Sequence, residues 1–257
     1  PTPEIVEALV AATGLPATHS MGAIAPSGAD ATIELIAVNA AMAGCTPSLM
    51  PCVVAAVECV LDPAFNLAGV QATTNPCAPL VIVNGPIRER ERFATGDGAL
   101  GGGSRANAAV GRALRLVLWN VGGSKPGLTD MATLGQPGKW GYCIAENEEK
   151  SPWETLAESR GFGREADVVT VFACDAPHAI FVPGDPERIL KIFVQSLPRW
   201  SLNMFHAAGQ MLLILGPRTA QALASAGMSQ REFRHFIHEH ARFDADELLD
   251  QQLLEPG

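Results

Sequence analysis

The chain has 257 residues, 47% of them hydrophobic, with 25 glycines and a formal net charge of −9. That length suits one large or two small domains with a sizeable core, and the acidic balance argues against a nucleic-acid binder, which needs a basic face to meet phosphates. No apolar run reaches the length of a membrane span, no signal-peptide pattern opens the sequence, and six cysteines without an extracellular signal point to reduced thiols in a cytoplasmic protein.

In chain order, Pro3 to Thr13 reads as an amphipathic helix with Ile5, Val6, Leu9 and Val10 on one side, closed by Gly14 and Pro16. Ala31 to Ala43 is an apolar helix ended by Gly44, and Leu49 to Leu61 a second, stopped by Asp62-Pro63. Val70 to Ala72 reads as a short strand, and Leu80 to Val83 as a buried one, because a short β-branched run needs cover on both faces. After the glycine-rich stretch 96–103, a helix is expected over Ala106 to Val121, stopped by Gly122-Gly123. Residues 125–140 are loop-like, Tyr142 to Ala145 and Val168 to Phe172 are strands, and Pro186 to Leu197 is a helix. Met211 to Leu215 is expected as a further strand, followed by helices over Thr219 to Ala226 and Ser229 to Ala241. Ser229 with Glu232 fits a capping box.

An internal echo organises these elements. Pro79-Leu-Val-Ile-Val-Asn-Gly-Pro86 returns 131 residues later as Gln210-Met-Leu-Leu-Ile-Leu-Gly-Pro217. The loop Gly44-Cys45-Thr46-Pro47 likewise returns as Cys174-Asp175-Ala176-Pro177-His178. The expectation is an α/β protein of two similar halves, 1–130 and 131–243, related by a pseudo-twofold internal repeat. An acidic tail over 244–257 follows, and the site lies in the cleft between the halves.

Cys45 is the leading candidate for chemistry. It follows Gly44 and precedes a helix start, where free amides favour an anion and lower a thiol pKa. A thiolate there is a nucleophile or a soft-metal ligand; the alternative is a small buried hydrophobe. Cys52 and Cys59 share a helix face about 10 Å apart, too far for one metal ion, and read as a core stripe. Thr73, Thr74 and Asn75 suit holding a carboxylate or carbonyl, although Thr-Asn-Pro is also ordinary turn chemistry. Asn84 lies just past a strand's carboxyl end, where ligands bind in open α/β sheets. Arg105 and Asn107, behind Gly101-Gly-Gly-Ser104 at a helix start, make an anion cradle. That stretch is neither a Walker loop nor a dinucleotide fingerprint. No nucleotide cofactor is therefore argued for, and a metal remains open. Glu146, at the end of a strand, sits where an active-site acid or metal ligand would, while Glu148 and Glu149 are expected to be solvated. His178 and His206 are loop histidines suited to general base work. His235, His238 and His240 read as a solvated helix face.

Five segments carry a family resemblance: Val38-Asn-Ala-Ala-Met-Ala-Gly-Cys45, Phe65 to Thr74, Pro79 to Pro86, Arg105-Ala-Asn-Ala-Ala-Val-Gly-Arg112 and Cys143-Ile-Ala-Glu-Asn-Glu-Glu149. They resemble an uncharacterised bacterial family associated with UGSC-type (seleno)proteins, and the resemblance runs to about residue 178. It implies thiol or selenol chemistry on a small molecule, in a two-component enzyme, and carries over no catalytic residue.

The reading that follows is a lyase or hydrolase cleaving a carbon–heteroatom bond of a small organic acid or amide. Cys45 is its nucleophile, Glu146, His178 and His206 move protons, and Thr73, Thr74, Asn75, Asn84, Arg105 and Asn107 hold the substrate. It is expected to be a homo-oligomer or to have a partner subunit. The alternatives are a non-catalytic subunit of a two-component thiol or selenol enzyme, and a metal-dependent enzyme with Cys, Glu and His ligands. A binding protein for a small acid is a third.

Overall fold

The computed structural model describes residues 1–101, 103–200 and 210–250. Helix and strand are mixed, as the sequence predicts. Helix α1 (Pro3–Ala11) leads to an antiparallel hairpin, β1 (Ser20–Ile24) and β2 (Ala29–Thr32). Helix α2 (Ile33–Ala43) starts at Thr32, whose hydroxyl accepts from the Leu35 N–H at 3.3 Å. It ends at Gly44, whose φ of 81° is left-handed and open to glycine without penalty. The Gly44 and Cys45 amides fold back onto the Ala41 and Ala40 carbonyls. Helices α3 (Met50–Leu61) and α4 (Leu67–Ala72) follow, then β3 (Ala78–Asn84), α5 (Ile87–Arg90) and α6 (Arg105–Asn120). Strands β4 (Cys143–Ala145) and β5 (Val168–Cys174) complete a three-stranded sheet, ordered β4-β3-β5.

Strand β3 is the centre of this sheet. β4 pairs with it in parallel, Val81 opposite Cys143, and β5 antiparallel, Asn84 opposite Val168. All seven of its residues are buried, which fits the continuous apolar run. Alternation along the strand sorts its side chains between two faces. Val81 and Val83, with Cys143 and Ala145 beside them, enter the core made with α2, α3 and α6. Leu80, Ile82 and Asn84 point the other way.

The chain divides into two compact units. Pro1–Glu148 with Thr155–Pro177 forms one, and Glu149–Glu154 with His178–Gly257 the other. The expected boundary near 130 is displaced because β4 and β5, both beyond it, complete the sheet around β3. The second unit holds α7 (Pro186–Trp200), α8 (Pro217–Ser225), α9 (Gln230–His240) and α10 (Ala245–Asp250). Its core gathers Ile189, Phe193, Leu197, Leu223, Phe233 and Ile237. Trp153 stacks on Phe233 and donates its indole N–H to the Met228 carbonyl at 3.0 Å. The capping box at Ser229 and Glu232 forms as expected.

Three expectations are corrected. Val70 to Ala72 is the end of α4, not a strand. Ala31 and Thr32 belong to the hairpin that precedes α2. Residues 210–216 form no strand, so the second copy of the echo is not built like the first. Among the described residues no single helix is long and apolar enough to cross a membrane.

Candidate active site

The carboxyl ends of parallel β3 and β4 lie side by side, so Asn84 and Glu146 become neighbours on the sheet face turned away from α2, α3 and α6. Asn84 is fully buried, and its Nδ2 donates to Glu146 Oε2 at 2.6 Å and to Glu148 Oε1 at 2.8 Å. Glu148 also accepts from the Gly85 N–H at 2.8 Å and pairs with Arg88 at 2.9 Å. Arg88 returns to the backbone, donating to the carbonyls of Gly85 and Glu146 at 3.0 and 2.8 Å. A carboxylate this deep is tolerable because it is both paired and hydrogen-bonded. Glu148 is thus the buried anchor of the site, not the solvated residue expected.

Glu146 differs from Glu148 in one way that matters for chemistry. Its Oε2 is fixed by Asn84 and by the Leu156 N–H at 2.9 Å. Its Oε1 accepts from no described residue, and the side chain is half-buried. The result is a carboxylate held in orientation at one oxygen and open at the other. The Asn84 side-chain oxygen Oδ1 is buried and has no partner among the described residues, while both donors of the amide face carboxylates. Gly85 is required here. Its φ is +89°, and a Cβ would lie 2.1 Å from the Ala166 carbonyl oxygen. That close approach places Asp167, which accepts from the Ile87 N–H at 2.6 Å and pairs with Arg90 at 2.7 Å.

Cys45 lies elsewhere. It is 7% exposed, packed in the helix-side core with Cys52, Val81, Val83 and Cys143. Cys45 and Glu146 therefore sit on opposite faces of the sheet. The expected thiolate stabilisation is also absent. Burial pushes the Cys45 thiol up to about 12, against a smaller downward pull from Arg105. Its N–H is engaged with the Ala40 carbonyl and offers no anion site. Arg105 itself grips the end of α2, donating Nε and Nη2 to the Gly44 carbonyl at 3.1 and 2.9 Å. Asn107 is buried, and its amide bonds the Ala94 N–H and the carbonyls of Ala94, Ala99 and Cys143. These two residues tie loops to helices, so the anion cradle expected of them is not formed.

Thr73, Thr74 and Asn75 stand before the first residue of β3, and Asn84 is its last. Seven residues of strand separate the two ends by roughly 20 Å, so these residues and Glu146 do not share a site. The Thr73 hydroxyl caps a local turn at the Asn75 N–H, 3.1 Å away, and the Thr74 carbonyl accepts from Thr133. At this end Cys77 donates its S–H to Asp175 Oδ1 at 3.2 Å. Burial, that hydrogen bond and the carboxylate's charge push Cys77 up to about 12. His178 is exposed and belongs to the second unit. His206 lies outside the described residues. Among the described residues no group of three or more His, Cys, Asp or Glu side chains is placed to hold a metal ion.

No protein-family model, curated protein or solved structure matches this chain.

Proposed function

We propose that the first unit is a small-molecule enzyme in which Glu146 moves a proton. The reaction class is lyase-like or hydrolytic cleavage of a carbon–heteroatom bond in a small organic acid or amide. One observation carries the reading. Glu146 is fixed at Oε2 by Asn84 and Leu156 and open at Oε1, at the carboxyl edge of a parallel strand pair. Ligands bind at such edges in open α/β sheets, and a base must be held in place to transfer protons efficiently. Glu148 and Arg88 form the support beneath it. The thiol or selenol chemistry implied by the UGSC-type resemblance does not find an activated cysteine at Cys45 and is not part of this reading.

The test is incubation of the purified chain with a panel of small hydroxy acids, amino acids, esters and amides in deuterated water, followed by NMR. Elimination from the panel, or deuterium entry beside a carbonyl, supports a lyase with Glu146 as base. Ester or amide cleavage without exchange supports a hydrolase. A panel left wholly unchanged sinks the reading.

A second reading, as an assembly subunit, rests on residues 128–140. Leu128, Leu134 and Trp140 are 75%, 96% and 73% exposed. The loop is nevertheless held, because Asp130 bonds both Arg115 and Lys139 at 2.9 Å in a buried cluster. Large apolar side chains on a stiff loop favour an interface. Sedimentation at micromolar concentration tests this, and a strict monomer argues against self-assembly.

A further inference from the structure

Helix α9 balances two arginines against two glutamates, but its carboxylates are engaged away from the arginines. Glu232 is engaged in the capping box, accepting from the Ser229 N–H and hydroxyl at 2.8 and 2.7 Å. Glu239 pairs with Arg242 at 3.0 Å. Arg231 and Arg234 are left exposed and, among the described residues, in no ion pair. They are three apart and so lie on one helix face, in a chain whose net charge is −9. His235 and His238 continue that face.

These side chains border a groove of about 700 Å³ in the second unit. Its other described lining residues are aliphatic, with Leu197, Leu213 and Ile237 at the core side and Met211 at the open side. The groove therefore joins an aliphatic bed to an edge bearing two arginines that form no ion pair among the described residues, within the size range of small-molecule sites. An uncharged apolar ligand leaves the guanidinium groups unused, and a compact anion leaves the bed unfilled. A ligand with an aliphatic tail and one anionic head meets both.

We propose that this groove binds an aliphatic carboxylate, with the chain on Leu197, Leu213, Met211 and Ile237 and the head between Arg231 and Arg234. The proposal uses none of the residues around Glu146 and does not depend on the reading given for it. Among the described residues the bed bears no aromatic side chain, which favours a flexible chain over a planar ring. Among the described residues charge sits along one wall only, which suits a single head group better than the repeated polar contacts of a peptide.

The experiment is calorimetric titration of the full chain with decanoate, kept below its micellar concentration. Saturable one-to-one binding is expected, weakening as salt is raised. The double variant Arg231→Gln/Arg234→Gln should bind about tenfold more weakly. Decanol, with the same tail and no charge, should show a comparable loss. Octanoate should also bind about tenfold more weakly than decanoate. Met211→Glu puts a negative charge at the half-exposed edge of the groove and should weaken decanoate further, with unchanged circular dichroism. Absence of saturable binding overturns the proposal. So does equal affinity for decanoate in either variant, equal affinity for decanol, or binding of an acidic amphipathic peptide in place of decanoate.

Discussion

Alkylation of the six free cysteines separates a buried Cys45 from a nucleophilic one. The Cys45 thiol is pushed from 9.0 up to about 12 by burial. Only the thiolate attacks iodoacetamide. At pH 8 a thiol titrating three units higher presents about a thousandfold less thiolate, before any loss of access. Cys45 is also packed against Cys52 and Cys143 in the core, so reaction waits on opening of that core. The half-buried Cys59, Cys77 and Cys174 have better access. Of these, Cys174 titrates at about 11, raised by burial and then by Asp175. Timed alkylation of the folded chain with peptide mapping should therefore label Cys59, Cys174 and Cys77 first. Cys45, Cys52 and Cys143 should react only as denaturant is added. If Cys45 in the folded chain reacts fastest, its burial and the assignment of the site to the other sheet face are both refuted.

Gly85→Ala should cost more than about 4 kcal/mol and lower the melting temperature by roughly 10 °C, because the new Cβ meets the Ala166 carbonyl at 2.1 Å in a left-handed backbone; a melt within two or three degrees of the parent would contradict this. Asn84→Asp replaces the donor between two carboxylates with a third carboxylate in a fully buried position, and urea unfolding at neutral pH should show a loss above about 4 kcal/mol. Burial pushes the Asp130 carboxyl up, but Lys139, the Ala132 N–H and Arg115 together hold it below the ordinary 3.8. Its contribution to stability is thus complete above pH 3.8 and lost as pH falls through the lower folded value. Asp130→Asn should remove that acid limb and cost roughly 3–5 kcal/mol at neutral pH, by leaving Arg115 and Lys139 without their anion; an unaltered acid titration of stability would show that the cluster is dispensable.

Much of the fold was legible because its signals are local. The apolar run at 80–83 is a buried strand, the glycines at 44 and 122–123 stop helices, and Ser229 with Glu232 starts one. The echo misled because an apolar run becomes a strand only when another strand completes its ladder. β3 has β4 and β5 beside it, whereas residues 210–216 carry the same run without becoming a strand. Val70 looked β-branched and extended, but the Asn66 side chain accepts from the Gly69 N–H and opens a helix. Hairpin β1–β2 was missed because its strands are short, Gly22 interrupts β1, and β2 carries only two alanines as apolar residues.

The site was half legible. Asn84 is the last residue of β3 and Glu146 stands just past β4, and parallel pairing brings them together. Cys45 was misjudged because a helix start favours a thiolate only where amides are free and water is near, and here neither holds. Glu148 was missed. The signal for it was an acid two residues beyond Glu146 and an arginine just past the Gly85-Pro86 turn, a pair whose partnership is visible only once β3 and β4 are aligned.

The most direct test of Glu146 as the proton carrier compares two variants on whichever panel substrate the chain consumes. Glu146→Gln keeps an acceptor for Asn84 and the shape of the site while removing the base, so kcat/KM should fall by about a hundredfold or more. Cys45→Ala should retain kcat/KM within a few fold, since Cys45 lies on the opposite face of the sheet. The contrary pattern, with activity lost in Cys45→Ala and kept in Glu146→Gln, would contradict the account.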